Sequence, residues 1–207
     1  TIVCGAGADD LIDLLIRVVM PPAITICSPT FAMYNFFAKI ARVPVIDVPL
    51  AAADFSVKID EIISTYQANI GALIFLTSPN NPTGTKIPLD EVDRLCSTCK
   101  LSVVCVDEAY IEFASPGSTA IPLMEKHPNL IILRTFSKWA GLAGLRVGYA
   151  IGHPDLITRI KQIKIPYNLN VAADAAAQCC LHHIDDVLDV VQKIVQERSR
   201  LFKLLSS

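Results

Sequence analysis

"GALIFLTSPNNPTG", residues 71–84, decides how the fold is read. From Ala72 to Leu76 every residue is apolar, with no alternation. A strand with one wet face alternates, so this short, uniform run predicts a strand covered on both faces, as in a parallel sheet between helices. The run ends at Thr77, and the seven residues Ser78 to Gly84 follow, a run of polar and turn-forming residues. Asn, Pro and Gly are turn formers, but so many in a row exceed what a simple connection needs.

The same pattern spreads outward from this stretch. Before it lie "TIVC", the helical "DDLIDLLIRVVM" with Leu11, Leu14, Leu15 and Val18 on one face, the strand "AITICSP", the helical "FAMYNFFAKIA", the strand "VPVIDVPL" and the helical "KIDEIISTYQ". After it come the helical "LDEVDRLCSTC" behind Pro88, the strands "LSVVCVDEAY", "NLIILRTFSK" and "RVGYAIG", then helix from Pro154 onward, broken near "IPYNLN". Asn168 to Ala172 are expected to form a hinge before the last helices. Strands alternating with helices predict an α/β fold: three α/β/α layers around a central, mostly parallel sheet of about seven strands.

In such a sheet, ligands bind beyond the carboxyl ends of the strands. Four apolar runs end there in polar groups. "TIVC" leads to Gly5-Ala6-Gly7-Ala8-Asp9, "LIFL" to the asparagine loop, "VVCV" to Asp107-Glu108-Ala109-Tyr110, and "IILR" to Thr135-Phe136-Ser137-Lys138. A carboxylate at Asp107, after four apolar residues, is costly unless paired. Glu108 reads as a solvated or capping neighbour. The glycine turn before the first helix leaves N–H groups for a phosphate; as a dinucleotide fingerprint it is incomplete, because Asp10 stands at the third glycine position. Together, a buried aspartate, an asparagine loop, a tyrosine, a lysine after serine and an arginine eight residues later suit pyridoxal 5'-phosphate. Its ring nitrogen wants a carboxylate, its phenolic oxygen donors, its phosphate a helix start and an arginine, and its aldehyde a lysine.

Composition narrows the classes further. The 207 residues are 52% hydrophobic and 18% charged, with a net charge of −2. Scattered basic residues give no case for nucleic acid or an anionic membrane, and no apolar run spans a bilayer. The start lacks the charged segment and cleavage site of a signal peptide. Of seven cysteines, Cys96 and Cys99 form a CxxC at helical spacing without a second pair or a histidine, which reads as buried thiol, and no metal site is expected. Cys4, Cys27 and Cys105 lie in apolar runs, where a thiol acts as a small hydrophobe. The expected compartment is reducing: the cytoplasm, or a plastid after removal of a transit peptide.

"SPNNPTG", "VDEAYIEF" and "RTFSKWAGLAGLRVGY", with "GAGADDLIDLLIR" and "SPTFAMY" in matching order, closely resemble the histidinol-phosphate aminotransferases, of the fold-type I group of pyridoxal-phosphate enzymes. The resemblance implies amino transfer between histidinol phosphate and 2-oxoglutarate in histidine biosynthesis, by a homodimer. It implies that Lys138 forms the Schiff base and moves the proton, Asp107 pairs with the ring nitrogen, and Asn81 and Tyr110 bond the phenolic oxygen. Phe31 stacks on the ring, where the family often has Tyr. Ala8, Asp9, Thr135, Ser137 and Arg146 hold the phosphate. Lys138 and Arg146 are expected to be poorly solvated, the lysine so that part of it is neutral and nucleophilic. Residues 1–207 correspond to the cofactor-binding large domain, with an N-terminal segment and a small domain expected outside them. The rivals are a threonine-phosphate decarboxylase or aromatic aminotransferase on the same chassis, an inactive cofactor-binding or partner-binding module, and a nucleotide-binding dehydrogenase domain, which would leave Lys138 without a role.

Overall fold

The computed structural model describes residues 1–206. Seven strands, β1 (Ile2–Gly5), β2 (Ile24–Ile26), β3 (Val45–Asp47), β4 (Leu73–Thr77), β5 (Val103–Asp107), β6 (Leu130–Thr135) and β7 (Gly148–Gly152), form one sheet in the order β1-β7-β6-β5-β4-β2-β3. Only β7 runs against its neighbours, pairing antiparallel with both β1 and β6; the pairs from β6 to β3 are parallel. The expected mostly parallel sheet is thus present.

Helices α1 (Ala8–Val19), α2 (Met33–Ala41), α3 (Ile59–Ala68), α4 (Leu89–Thr98) and α5 (Pro154–Ile163) cover the two faces, while α6 (Val171–His182) and α7 (Ile184–Leu205) pack on a separate cluster around Phe136, Trp139 and Val147. The central strands explain why the opening stretch does not alternate. All five residues of β4 are buried. In β5 and β6 the strand period sends Cys105, Ile131 and Leu133 to the face under α1, α2 and α5. Val104, Val106, Leu130 and Ile132 go to the other face, under α3 and α4. Each of these buried aliphatic side chains contributes about 1.5–3 kcal/mol relative to exposure.

In α1, Leu11, Leu14 and Leu15 are buried on one face as the spacing predicts, with Ile12 and Ile16 beside them. Asp9 and Asp10 in its first turn and Arg17 in its last complement the helix dipole.

Three expectations change. The final helical region breaks a second time, at His183 between α6 and α7. The expected hinge is tied down: Asn168 Nδ2 donates to Asp10 (2.6 Å), Lys164 donates to Asn168 Oδ1 (2.6 Å), and Asn170 caps α6 through the Ala173 amide (2.8 Å). Cys4 is exposed, whereas Cys27 and Cys105 are buried as expected. The reason is that β1 is an edge strand and alternates, with Val3 and Gly5 inward and Cys4 outward.

Candidate active site

The parallel register brings the ends of β4, β5 and β6 to one rim, with Thr77 opposite Asp107 in neighbouring strands. Because β7 is antiparallel to both β6 and β1, its first residue, Gly148, lies beside Thr135 and also beside Gly5. Arg146 and the start of α1 therefore reach the same rim. A close approach completes it: a side chain at Gly148 would place its Cβ 2.5 Å from the Gly7 carbonyl carbon. Gly7 has φ +84°, and a Cβ there would fall 2.4 Å from Arg146 Nη2. Only glycine lets the guanidinium cross the backbone at that point.

Ala8, Asp9, Phe31, Asn81, Asp107, Tyr110, Thr135, Ser137, Lys138 and Arg146, all ten residues marked from the sequence, line one cavity at this rim, together with Thr77 and Ala109. Its floor is Asp107, 3% exposed. One carboxylate oxygen accepts from the Tyr34 hydroxyl at 2.7 Å, the other from the Ala109 amide at 3.0 Å. Burial pushes its pKa up, and the nearby charges of Asp9 and Glu108 push the same way. No basic side chain forms an ion pair with it among the described residues.

The asparagine loop divides its labour. Asn80 is buried and structural: its amide nitrogen donates to the Pro29 carbonyl (3.0 Å) and to Thr83 Oγ1 (2.8 Å), and its oxygen accepts from Thr30 (2.9 Å). Asn81 faces the cavity. At the opposite wall, α1 begins at Gly7 with no side-chain cap, so its first-turn N–H groups point at the cavity end. Arg146 Nη2 donates to Asp9 Oδ2 at 2.6 Å. Asp10, which spoils the dinucleotide fingerprint, accepts from the Ala6 amide at 2.9 Å and so fixes the glycine turn. Thr135 Oγ1 accepts from the Ser137 amide and donates to the Val147 carbonyl, both at 3.1 Å.

Two expectations about charge are corrected. Lys138 and Arg146 are exposed rather than poorly solvated. Lys138 Nζ lies 5.5 Å from the Tyr110 ring centroid, while the next residue, Trp139, turns inward. The apolar letters around Lys138 describe its neighbours' side chains, not its own. Glu108 is neither solvated nor a simple cap: at 1% exposure it accepts from Arg134 Nε (3.0 Å) and Nη2 (2.8 Å), from Thr119 Oγ1 (2.9 Å) and from the Ala120 amide (2.6 Å). Sequence reasoning left out Thr77 and Tyr34. The signal for Thr77 was its place at the end of β4; Tyr34 reads as an ordinary core aromatic of α2.

Sheet order and strand direction match the large domain of the fold-type I aminotransferases. The chain belongs to the aminotransferase class I and II family, whose model matches residues 1–207. It is 46% identical over its whole length to the histidinol-phosphate aminotransferase of Roseiflexus castenholzii, covering 55% of that protein. Over 99% of its length it is 45% identical to the chloroplastic histidinol-phosphate aminotransferase 1 of Arabidopsis thaliana, covering 48% of it. The chain thus spans about half the length of the curated relatives it matches. Among solved structures, the histidinol-phosphate aminotransferase from Clostridium acetobutylicum superposes with a TM-score of 0.90 at 28% identity, covering 99% of this chain and 61% of that one. The enzyme from Sinorhizobium meliloti, solved in complex with pyridoxal-5'-phosphate, gives 0.88 at 26%, covering 97% and 55%.

Proposed function

We propose that residues 1–207 are the cofactor-binding large domain of a pyridoxal-phosphate-dependent histidinol-phosphate aminotransferase, which exchanges an amino group between histidinol phosphate and 2-oxoglutarate. The observation that carries this reading is Asp107: a buried carboxylate with neutral donors only, at the floor of a cavity that also holds a lysine and a helix start. Such a carboxylate is incomplete until a positively charged N–H meets it, and the ring nitrogen of pyridoxal phosphate supplies one. The uncapped start of α1 beside Arg146 fits the phosphate in the same way. When bound, the cofactor supplies an aldehyde for covalent capture of amines and a ring that accepts electrons.

The chain's own residues then divide the work. Asp107 holds the ring nitrogen protonated. Phe31 covers the ring, and Asn81 and Tyr110 donate to its phenolic oxygen. Ala8 and Asp9 offer backbone N–H groups to the phosphate, with Thr135, Ser137 and Arg146 around it. Asp9 contributes through its amide, its carboxylate being turned to Arg146. Lys138 would hold the cofactor's aldehyde and, once an incoming amine has displaced it, would move a proton to and from the substrate Cα.

We read the assembly as a homodimer, supported by the exposed apolar Phe36 and Ile40 of α2 and Val171 and Leu181 of α6. The partners are a small-molecule amino donor and a 2-oxo acid. Nothing in a net charge of −2 calls for nucleic acid, and among the described residues no helix is long and apolar enough to cross a membrane. Seven unpaired thiols support a reducing compartment.

The test is spectroscopic. The protein mixed with pyridoxal phosphate is expected to develop a visible band that borohydride makes permanent, on a peptide containing Lys138. Lys138→Ala should lose that band entirely while melting within about 0.5 kcal/mol of the parent, since an exposed side chain contributes little to packing. Histidinol phosphate should bleach the band faster than threonine phosphate. A reducible band in Lys138→Ala at full occupancy would remove the lysine from this role.

A further inference from the structure

We propose that Tyr34 is a positioning residue for Asp107: its hydroxyl aims the carboxylate and keeps it charged for the ring nitrogen. This inference rests on the function proposed above.

Tyr34 lies on α2, completely buried. Its ring stacks on Phe75 at 4.6 Å and 13°, and meets the edge of Phe31 at 5.6 Å and 82°. A phenylalanine would satisfy all of that packing. The hydroxyl is the extra element, and burying it requires partners. It has two, Asp107 Oδ2 at 2.7 Å and Thr77 Oγ1 at 2.9 Å. Proton counting fixes their directions. An ionised carboxylate only accepts, so the single phenolic proton goes to Asp107, and Thr77 must donate to the phenol oxygen. Thr30 Oγ1 donates to Asn80 Oδ1 at 2.9 Å and lies 3.1 Å from Thr77 Oγ1, a contact left without a proton once Thr77 donates to the phenol. Asn80 is the neighbour of Asn81. The hydrogen-bonded unit that ends on the carboxylate assigned to the ring nitrogen is therefore Thr77–Tyr34–Asp107, and the asparagine loop meets it through Thr30 without a shared proton.

The electrostatic consequence is directional. Asp107 is faced by Tyr34 from α2, Ala109 from the following turn, Asp9 from α1, Glu108 beside it in the chain and Cys105 from its own strand. Burial and the two acids favour its neutral form; Tyr34 and the Ala109 amide oppose them. Removing the phenolic donor takes away one of those two opposing contacts, so Asp107 would gain a proton at higher pH. A neutral carboxyl holds a pyridinium N–H less strongly than a carboxylate does. Removal would also free the carboxylate to rotate about its Cβ–Cγ bond.

The experiment compares the parent, Tyr34→Phe and Thr77→Val for pyridoxal-phosphate affinity, by titration of the visible band across a pH series. Melting of each cofactor-free protein serves as the folding check. Loss of one buried hydrogen bond predicts about five- to tenfold weaker binding in Tyr34→Phe near neutral pH, with the gap widening as pH falls. Thr77→Val leaves the Tyr34–Asp107 contact but frees the phenol to rotate, and should weaken binding about twofold with the same pH trend. A purely structural role would lower the melting temperature of Tyr34→Phe without moving the pH profile. Equal affinity and an unchanged profile in a folded Tyr34→Phe overturn the inference. Should Tyr34→Phe fail to fold, Thr77→Val decides alone, and an unchanged profile there overturns it. A parent protein that forms no band would instead defeat the proposed function.

Discussion

Asp107 and Glu108 are consecutive residues, both acidic and both buried, at 3% and 1% exposure. They end in opposite electrostatic circumstances. Glu108 points to the side of Thr119 and Arg134, where four donated hydrogen bonds, two from the guanidinium, complete it. Asp107 points to the side of α2 and receives two bonds, from a phenol and an amide. Burial costs each carboxylate its hydration. One region repays that loss within the chain, and the other leaves it open toward a cavity. A buried acid that is fully matched holds structure together; a buried acid short of one positive charge marks where a ligand belongs.

The comparison breaks most forcefully at Glu108. Glu108→Ala leaves Arg134 largely buried, with only the more distant Glu112 (3.8 Å) to face it, and is expected to lower unfolding free energy by about 3 kcal/mol, measured by urea denaturation. Cofactor affinity per folded molecule should stay near the parent value. A stable Glu108→Ala with impaired binding would reverse the two assignments. Asp107→Asn tests the other half. Its binding loss should be about 1.5–3 kcal/mol, or roughly ten- to a hundredfold in Kd, because a charge-assisted bond becomes a neutral one. Its stability should hold or rise, since the amide carries no uncompensated charge into the interior. A large drop in the melting temperature of cofactor-free Asp107→Asn would show that Asp107 is structural like its neighbour.

Much of this contrast can be read from the letters alone, and the part that cannot has physical causes. Continuous apolar runs announce β4, β5 and β6, because strands covered on both faces have no polar side. The carboxyl ends of those strands share a rim, so the residues after each run are brought together by topology, without any need to know distances. What fails is the direction of single side chains just past a strand. Asp107 and Glu108 look alike in sequence; a strand period of two sends them apart, and only the structure shows that Arg134 waits on one side. Lys138 looked buried because of its company, yet neighbouring side chains point different ways there. Tyr34 occupies a core position of α2, and nothing in a helical period separates a tyrosine that packs from one that also donates. A usable clue was available: a buried Asp107 demands donors, and a tyrosine within a predicted core helix is a donor that needs an acceptor.

Glu112 sharpens the comparison with the smallest effect. It shares the Arg134 neighbourhood, but that cation is already committed to Glu108, and Glu112 Oε1 stays 3.8 Å from the guanidinium. Its other oxygen is buried without a hydrogen-bond partner among the described residues. Burial accordingly pushes its pKa up to about 7 from an ordinary 4.5, with a hydrogen bond from its own backbone amide and the charge of Arg134 pulling the other way. The raised value means that the folded protein holds this proton after the unfolded chain has released it. The associated stability is complete below the unfolded pKa of 4.5 and is lost as pH climbs through the window up to about 7. The loss is expected to be on the order of 2 kcal/mol, as about 1.4 kcal/mol attaches to each pKa unit and the site is not fully closed to water. Urea denaturation of cofactor-free protein at pH 5 and pH 8 measures it. Glu112→Gln should flatten the difference between the two pH values, while Glu108→Gln, by releasing Arg134 toward Glu112, should shrink it. If the slope persists in Glu112→Gln, a different group titrates, and Asp107, the other buried carboxylate whose pKa burial raises, is the one to replace next.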